Sequence, residues 1–160
     1  MSDKVGQARW EVENLAGTAE VIANAVAAAP AAEIATVANA VVGGVGEVSF
    51  VVGASDTGTV GIQLGDHNGD DLAVRGTVFA YLSDDANGDS IAGTAPSGGV
   101  AIGTDGVLIP VVADKAFFLC SEADGDIDIV LTEAAADTWY LVVVLPNGTH
   151  RVSGAIAFTV

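Results

Sequence analysis

The apolar run Trp139-Tyr140-Leu141-Val142-Val143-Val144-Leu145 decides the fold of this chain. Most of its residues are aromatic or β-branched, and such residues favour β-strands. The run has no polar face, so it predicts a central strand that is buried on both sides of its sheet. A central strand needs neighbours, and further strand-like runs are present along the chain. These runs cover residues 48–52, 60–64, 72–82, 107–112, 116–121, 127–132 and 152–160.

Turn signals separate these runs at regular intervals. Asn-Gly and Asp-Gly pairs favour a positive φ angle and suit tight turns between strands. Strands joined by turns at this density predict a β-sandwich, either immunoglobulin-like or of the jelly-roll type. The pairs are Asn68-Gly69, Asn87-Gly88, Asp105-Gly106, Asp124-Gly125 and Asn147-Gly148.

The composition changes near residue 43 and divides the chain into two parts. Residues 1–42 are rich in alanine, and their apolar residues recur near the helical period until Pro30 interrupts it. We therefore expect a helical N-terminal arm over residues 1–42 and a β-sandwich domain over residues 43–160. The arm has small side chains and must pack on another surface. Its predicted anchors in an interface are Trp10, Leu15, Ile22, Ile34 and Val37.

The charge of the chain excludes several classes of function. The 160 residues carry 21 acids and five bases, for a net charge of -16. Such a surface repels nucleic acid and anionic lipid, so we expect neither as a partner. The start of the chain has no apolar segment behind a basic end, which predicts the absence of a signal peptide. The longest apolar stretch contains Pro30 and polar residues, so no membrane span is expected.

Three acidic turns are the most specific local pattern. Two of them share the sequence D-x-N-G-D, and the third, at 122–126, is closely related. Closely spaced carboxylate and carbonyl oxygens are the ligands that calcium prefers. A β-turn surrounded by solvated acids is favoured over a metal site as the interpretation of these sequences. No other cofactor is predicted. The candidate ligands are Asp66, Asn68, Asp70, Asp85, Asn87, Asp89, Glu122, Asp124 and Asp126.

The chain has no recognisable set of catalytic residues, and we expect no enzymatic activity. Its two histidines, His67 and His150, fall in predicted turns and lack a partner at ligand spacing. The single cysteine, Cys120, follows Phe117-Phe118-Leu119 and is predicted to be a buried structural thiol. One cysteine also excludes a disulfide framework within the chain.

The segment Asp137-Thr138-Trp139-Tyr140 resembles the corner that leads into the sixth strand of immunoglobulin-like domains, where an acid precedes a tyrosine. The resemblance implies that Tyr140 is the corner tyrosine. A second resemblance covers about half of the chain, from Val74 to Val160, and is to small structural proteins of tailed bacteriophages. It is carried by TVFAYLSDD at 77–85, ADKAF at 113–117, SEADGDIDI at 121–129 and YLVVVLPNG at 140–148.

The second resemblance implies a virion component without enzymatic residues. We therefore expect a protein that decorates or cements a phage capsid, assembled in the host cytoplasm and located in the virion. Its expected partners are the major capsid protein, other virion subunits and further copies of itself. The alternative is a head or tail fibre, or an adhesin-type binding module, whose acidic loops are supported by calcium.

Overall fold

The computed structural model describes residues 44–159, and this part of the chain contains β-strands and no helix. The predicted helical arm, with its anchors from Trp10 to Val37, lies outside the described residues. The strands are β1 (Glu47–Val52), β2 (Thr59–Gly65), β3 (Thr77–Ser83), β4 (Val100–Ile102), β5 (Val107–Val112), β6 (Ala116–Cys120), β7 (Asp126–Leu131), β8 (Asp137–Val144), β9 (His150–Val152) and β10 (Ile156–Phe158).

The strands form two antiparallel sheets, so the prediction of a mainly β domain is confirmed. The first sheet has the strand order β1-β2-β7-β4. The second has the order β10-β8-β3-β6-β5, and β9 also pairs with β8. The chain therefore passes between the sheets several times, and each sheet combines local hairpins with pairs that are distant in sequence, such as β2 with β7 and β3 with β8.

A single hydrophobic core receives side chains from both sheets. Ile127, Ile129 and Leu131 alternate along β7 with partly exposed residues and point into this core. Trp139 on β8 is fully buried there, and its ring packs edge-on against Phe158 with 6.0 Å between the ring centroids. This alternation is the pattern of a sheet that is buried on one face, as the sequence predicts for β7.

Strand β8 lies inside its sheet and is buried on both faces along much of its length. Leu141 and Val143 belong to the core, whereas Val142 points to the opposite face and is also fully buried. A loop covers Val142, because a Cβ atom placed on Gly88 would lie 2.8 Å from a methyl group of Val142. Tyr140 and Val144 are partly exposed, so the prediction for this strand is confirmed except at those two positions.

The glycines of the predicted turns adopt the positive φ angle that Asn-Gly and Asp-Gly pairs favour. All five Asn-Gly and Asp-Gly pairs place their glycine at positive φ. In four of the turns the glycine N–H donates to the carbonyl oxygen three residues earlier, as Gly148 does to Leu145 over 2.9 Å. A type I turn followed by a glycine of positive φ is a common connection between antiparallel strands.

The structure corrects three predicted boundaries. The run 72–82 is not one strand: Leu72 still bonds to Leu64 at the end of β2, and β3 begins only at Thr77 after the chain has crossed to the other sheet. The run 152–160 is interrupted at Ser153, whose hydroxyl accepts the N–H of Leu141 in place of a backbone group. Strand β4 falls inside residues 84–106, a long polar segment for which the sequence predicts an extended loop.

Candidate interaction surface

The carboxylates of the acidic turns bind the backbone of their own turns. Asp66 accepts hydrogen bonds from the N–H groups of Asn68 and Asp70, at 2.7 and 3.1 Å. Asp85 accepts the N–H of Asn87 at 3.0 Å. These bonds close Asx turns, for which aspartate and asparagine are preferred. Turn geometry therefore accounts for the repeated aspartates at these positions.

Two of the three acidic turns lie at the same end of the first sheet. Gln63, on β2, donates to the carbonyl oxygen of Asp124 at 2.8 Å, and Leu64 donates to that of Gly125 at 2.9 Å. The third turn, around Asp85, follows β3 of the other sheet. Among residues 44–159, no three His, Cys, Asp or Glu side chains are grouped so that they could hold a metal ion. The calcium site accordingly stays a prediction from the sequence.

The outer face of the first sheet carries a shallow trough of about 420 Å³ with polar and apolar residues in its lining. Gly61 leaves space in its floor, and Gln63, Asp126 and Asp128 line its sides. Burial raises the pKa of the Asp128 carboxyl, and the nearby charges of Asp126 and Asp105 raise it further. This face is thus polar and negatively charged.

The outer face of the second sheet has the opposite character. None of the residues of the adjacent strands β3, β6 and β5 is charged. Ile109, Phe118 and Phe79 are direct cross-strand neighbours and form an apolar row across the three strands. Ile109 is 50% exposed and Phe118 45% exposed. We call this surface the β5–β6 face and define it by Phe79, Val107, Ile109, Phe118 and Cys120.

Aromatic packing organises the β5–β6 face. The ring of Phe118 meets that of Phe79 edge-on, with 5.7 Å between the ring centroids. The ring centroids of Phe79 and Tyr81 are 6.1 Å apart. The Tyr81 hydroxyl donates to the carbonyl oxygen of Gly88. The loop around Gly88 therefore covers the Tyr81 end of the sheet, whereas the Phe118 end is exposed.

The prediction that Cys120 is buried is wrong. Its side chain is partly exposed and lies on the β5–β6 face, because β6 alternates and Phe117 and Leu119 occupy the inward positions. Its sulfur lies 3.3 Å from the Thr77 hydroxyl. A run of apolar residues does not indicate which side of such a strand faces the core and which faces solvent. His67 and His150 are exposed, as expected.

Comparison of the chain with models of known protein families, with curated proteins and with solved structures gave no match. Residues 44–159 include no helix with the length and apolar character that a membrane crossing requires. The class of this domain is therefore defined by its fold and its surface. It is a two-sheet β domain with acids on the outer face of the first sheet and an apolar row, without charged residues, across β3, β6 and β5 of the second.

Proposed function

We propose that this chain is a non-enzymatic structural protein of a virion that decorates or cements a phage capsid. The β5–β6 face is the observation that carries the proposal. Five of the exposed large hydrophobic residues, namely Val107, Ile109, Val111, Val112 and Phe118, belong to the two neighbouring strands β5 and β6. Contiguous exposed apolar surface is uncommon on soluble monomers and marks sites of protein association.

The distribution of charge supports an assembly role. Beyond residue 45 the chain has 16 acids and three bases, which keeps free subunits apart in solution. Strands β3, β6 and β5 contain none of these acids, so no acid interrupts the apolar row across them. A subunit built in this way stays soluble until a matching surface covers that face.

The phage setting is supported by the resemblance of residues 74–160 to small structural proteins of tailed bacteriophages. In this setting the helical arm, residues 1–42, packs against neighbouring virion subunits through its apolar stripe. The protein is assembled in the host cytoplasm and remains in the virion.

The strand order supports the immunoglobulin-like form of the sandwich over the jelly roll. In constant-type immunoglobulin domains one sheet has the order A-B-E-D and the other contains C, F and G. The order β1-β2-β7-β4 corresponds to the first, and β10-β8-β3 corresponds to G-F-C. The hairpin of β5 and β6 is then an addition beside the third strand. On this interpretation the addition supplies most of the apolar face.

Binding to capsid shells tests the proposed function. Shells are assembled from the major capsid protein of the genome that encodes this chain, mixed with the full-length protein and sedimented. We expect saturable co-sedimentation, which Leu15→Asp reduces and Asn14→Asp, at the adjacent position off the apolar stripe, does not. Absence of binding to the shells, together with binding to host cells or glycans, would replace the capsid role by that of a fibre or adhesin-type module.

A further inference from the structure

We infer that Asn68 is a site of spontaneous chemical modification, at which the folded chain converts its own asparagine into isoaspartate or aspartate. Three asparagines of the chain are followed by glycine, namely Asn68, Asn87 and Asn147. The hydrogen bonds and packing of the fold restrain two of them and leave Asn68 reactive. The inference is independent of the proposed capsid role.

The reaction uses the backbone nitrogen that follows the asparagine. This nitrogen loses its proton and bonds to the side-chain carbonyl carbon, and the amide nitrogen leaves as ammonia. Water then opens the cyclic succinimide at either of its carbonyl groups, which gives isoaspartate or aspartate. The net change is asparagine plus water to an acid plus ammonia, so water is the only co-reactant. Glycine favours ring closure because it has no Cβ atom to hinder the approach of its nitrogen.

The three turns share one backbone arrangement and can therefore be compared directly. In each turn the glycine has a φ angle between 73° and 84°, and its N–H donates to the carbonyl oxygen three residues earlier. This N–H has to be released, and the asparagine side chain has to turn towards it, before the ring can close. Each further hydrogen bond that has to open lowers the reactive population roughly two- to tenfold.

Asn68 has the fewest restraints of the three. Its side-chain amide makes no hydrogen bond within residues 44–159, where only its backbone N–H is bonded, to Asp66. The nitrogen of Gly69 lies 3.2 Å from the carbonyl oxygen of Asp66, which is the longest of the three equivalent bonds. Both Asn68 and Gly69 are exposed. The space beside Gly69 is open apart from the Glu47 carboxylate, which lies 3.6 Å from the position of an added Cβ atom.

The side chain of Asn147 is held by its own turn. Its Oδ1 accepts the N–H and the hydroxyl of Thr149, at 2.9 and 2.7 Å. The N–H of Gly148 donates to Leu145 at 2.9 Å. The two bonds to Thr149 have to open in addition to the one that all three turns share. We therefore expect ring closure at Asn147 to be slower than at Asn68.

Asn87 is restrained on both sides of the reacting bond. Its Nδ2 donates to the Asp85 carboxylate at 3.3 Å. Gly88 is buried, its N–H donates to the carbonyl oxygen of Asp85 at 2.9 Å, and its own carbonyl oxygen accepts the Tyr81 hydroxyl. A segment that is packed in this way opens rarely. We therefore expect the slowest reaction at Asn87.

Modification of Asn68 changes the turn that follows β2. Aspartate adds a negative charge between Asp66 and Asp70, and isoaspartate also adds a methylene group to the backbone. The Asp66 carboxylate accepts the N–H groups of residues 68 and 70, and a lengthened backbone moves these two donors apart. This end of the first sheet therefore changes in charge and shape as the protein ages.

Peptide mapping by mass spectrometry tests the inference on the full-length protein. The protein is incubated in mildly alkaline buffer at physiological temperature and digested at intervals, and fragmentation that distinguishes isoaspartate from aspartate locates each product. We expect modification to be fastest at Asn68, slower at Asn147 and slowest at Asn87, with isoaspartate among the products. An unmodified Asn68, or a rate at Asn87 or Asn147 that equals or exceeds its own, overturns the inference.

The protein unfolded in guanidinium chloride is the matched control. The same Asn-Gly pairs then lack the bonds of the folded chain, so we expect the three rates to converge. If Asn68 keeps the same lead in the unfolded chain, its neighbours in sequence rather than the fold select it, and the inference is overturned.

Gly69→Ala tests the chemical route at the same asparagine. The added methyl group hinders ring closure, so isoaspartate at Asn68 should fall strongly while the rate at Asn147 is unchanged. The comparison is repeated in guanidinium chloride, where folding of the variant has no influence on the result. Undiminished isoaspartate at Asn68 in both conditions would exclude attack by the backbone nitrogen of residue 69.

Discussion

Glu133 and Ser97, which are 36 residues apart in sequence, are joined by two hydrogen bonds. The Glu133 carboxylate accepts the N–H and the hydroxyl of Ser97, each at 2.8 Å. It also accepts the N–H groups of Ala134 and Ala135, at 2.7 and 2.8 Å. One partly exposed side chain thus holds the segment that precedes β4 against the segment that follows β7. These bonds extend the pairing of the two strands beyond their ends.

The bonds at Glu133 make the stability of the domain depend on pH. They favour the charged carboxylate and lower its pKa from 4.5 to about 2, the Ser97 N–H being the largest cause. Because the folded pKa is lower than the unfolded one, the stabilisation is complete above the unfolded pKa and is lost as the pH falls from about 4.5 towards 2. We expect Glu133→Gln to lower the urea midpoint at pH 7, by an amount that shrinks at pH 3. Glu47→Gln is the control, and an equal loss at both pH values contradicts this role of the charge.

Two turn glycines should respond very differently to the same substitution. Gly148 has a φ of 83°, and a Cβ atom there would meet nothing within 4 Å. Gly125 has a φ of 85°, and its Cβ would lie 2.7 Å from the carbonyl oxygen of Leu64. Gly148→Ala should therefore cost about 1–2 kcal/mol, from backbone strain alone. Gly125→Ala should cost clearly more, and equal unfolding free energies in urea would show that the clash relaxes.

The sequence predicts the strands and turns better than it predicts the exposure of surfaces. The spacing of hydrophobic residues and the residue preferences of turns are local properties. The positions of β7, β8 and the five glycine turns can therefore be predicted from their own residues. Strand β4 is missed because its three residues, from Val100 to Ile102, are set by pairing with β7 rather than by their own pattern. The β5–β6 face is also missed, since Val107–Val112 has the same composition whether it is covered or exposed. The anchors predicted between Trp10 and Val37 lie outside the described residues.

Trp139 fills the core at the cost of an unpaired polar atom. Its side chain is fully buried, and its Nε1 has no hydrogen-bond partner among the described residues. Truncation to alanine should cost about 3–5 kcal/mol through the cavity that it leaves. Trp139→Phe keeps the aromatic packing against Phe158 and removes a donor whose burial costs about 1–3 kcal/mol. We expect Trp139→Phe to lose less than half as much stability in urea unfolding as Trp139→Ala. Equal losses in the two variants would contradict the conclusion that burial of the unpaired Nε1 destabilises the domain.

Calcium titration distinguishes the two interpretations of the acidic turns. The carboxylates of Asp66 and Asp85 already accept backbone N–H groups, so we expect the melting temperature to be the same in millimolar calcium and in chelator. A ligand that binds only the folded state would raise it with concentration. Such a rise, abolished by Asp124→Ala and retained in Asp137→Ala, would establish a metal site at the third turn. Asp137 is the control because it is exposed at the start of β8, outside the three turns.

The C-terminal strand depends on Asp56, in the turn between β1 and β2. Its carboxylate accepts the N–H of Thr159 and, at 2.8 Å, the Thr159 hydroxyl. Its own N–H donates to Ala157 at 3.0 Å, so the turn of the first sheet fastens β10 of the second. The N–H of Thr159 lowers the pKa of Asp56 most, and the hydroxyl lowers it further.

Loss of this contact should loosen β10 selectively. Asp56 has a φ of 68°, a conformation that asparagine tolerates and alanine does not. Asp56→Asn keeps the backbone and one acceptor oxygen, whereas Asp56→Ala loses both. We expect hydrogen exchange in β10 to accelerate strongly in the alanine variant and weakly in the asparagine variant, with β7 unchanged in each. Equal acceleration in β7 and β10 would mean that Asp56 stabilises the whole domain and not the terminal strand.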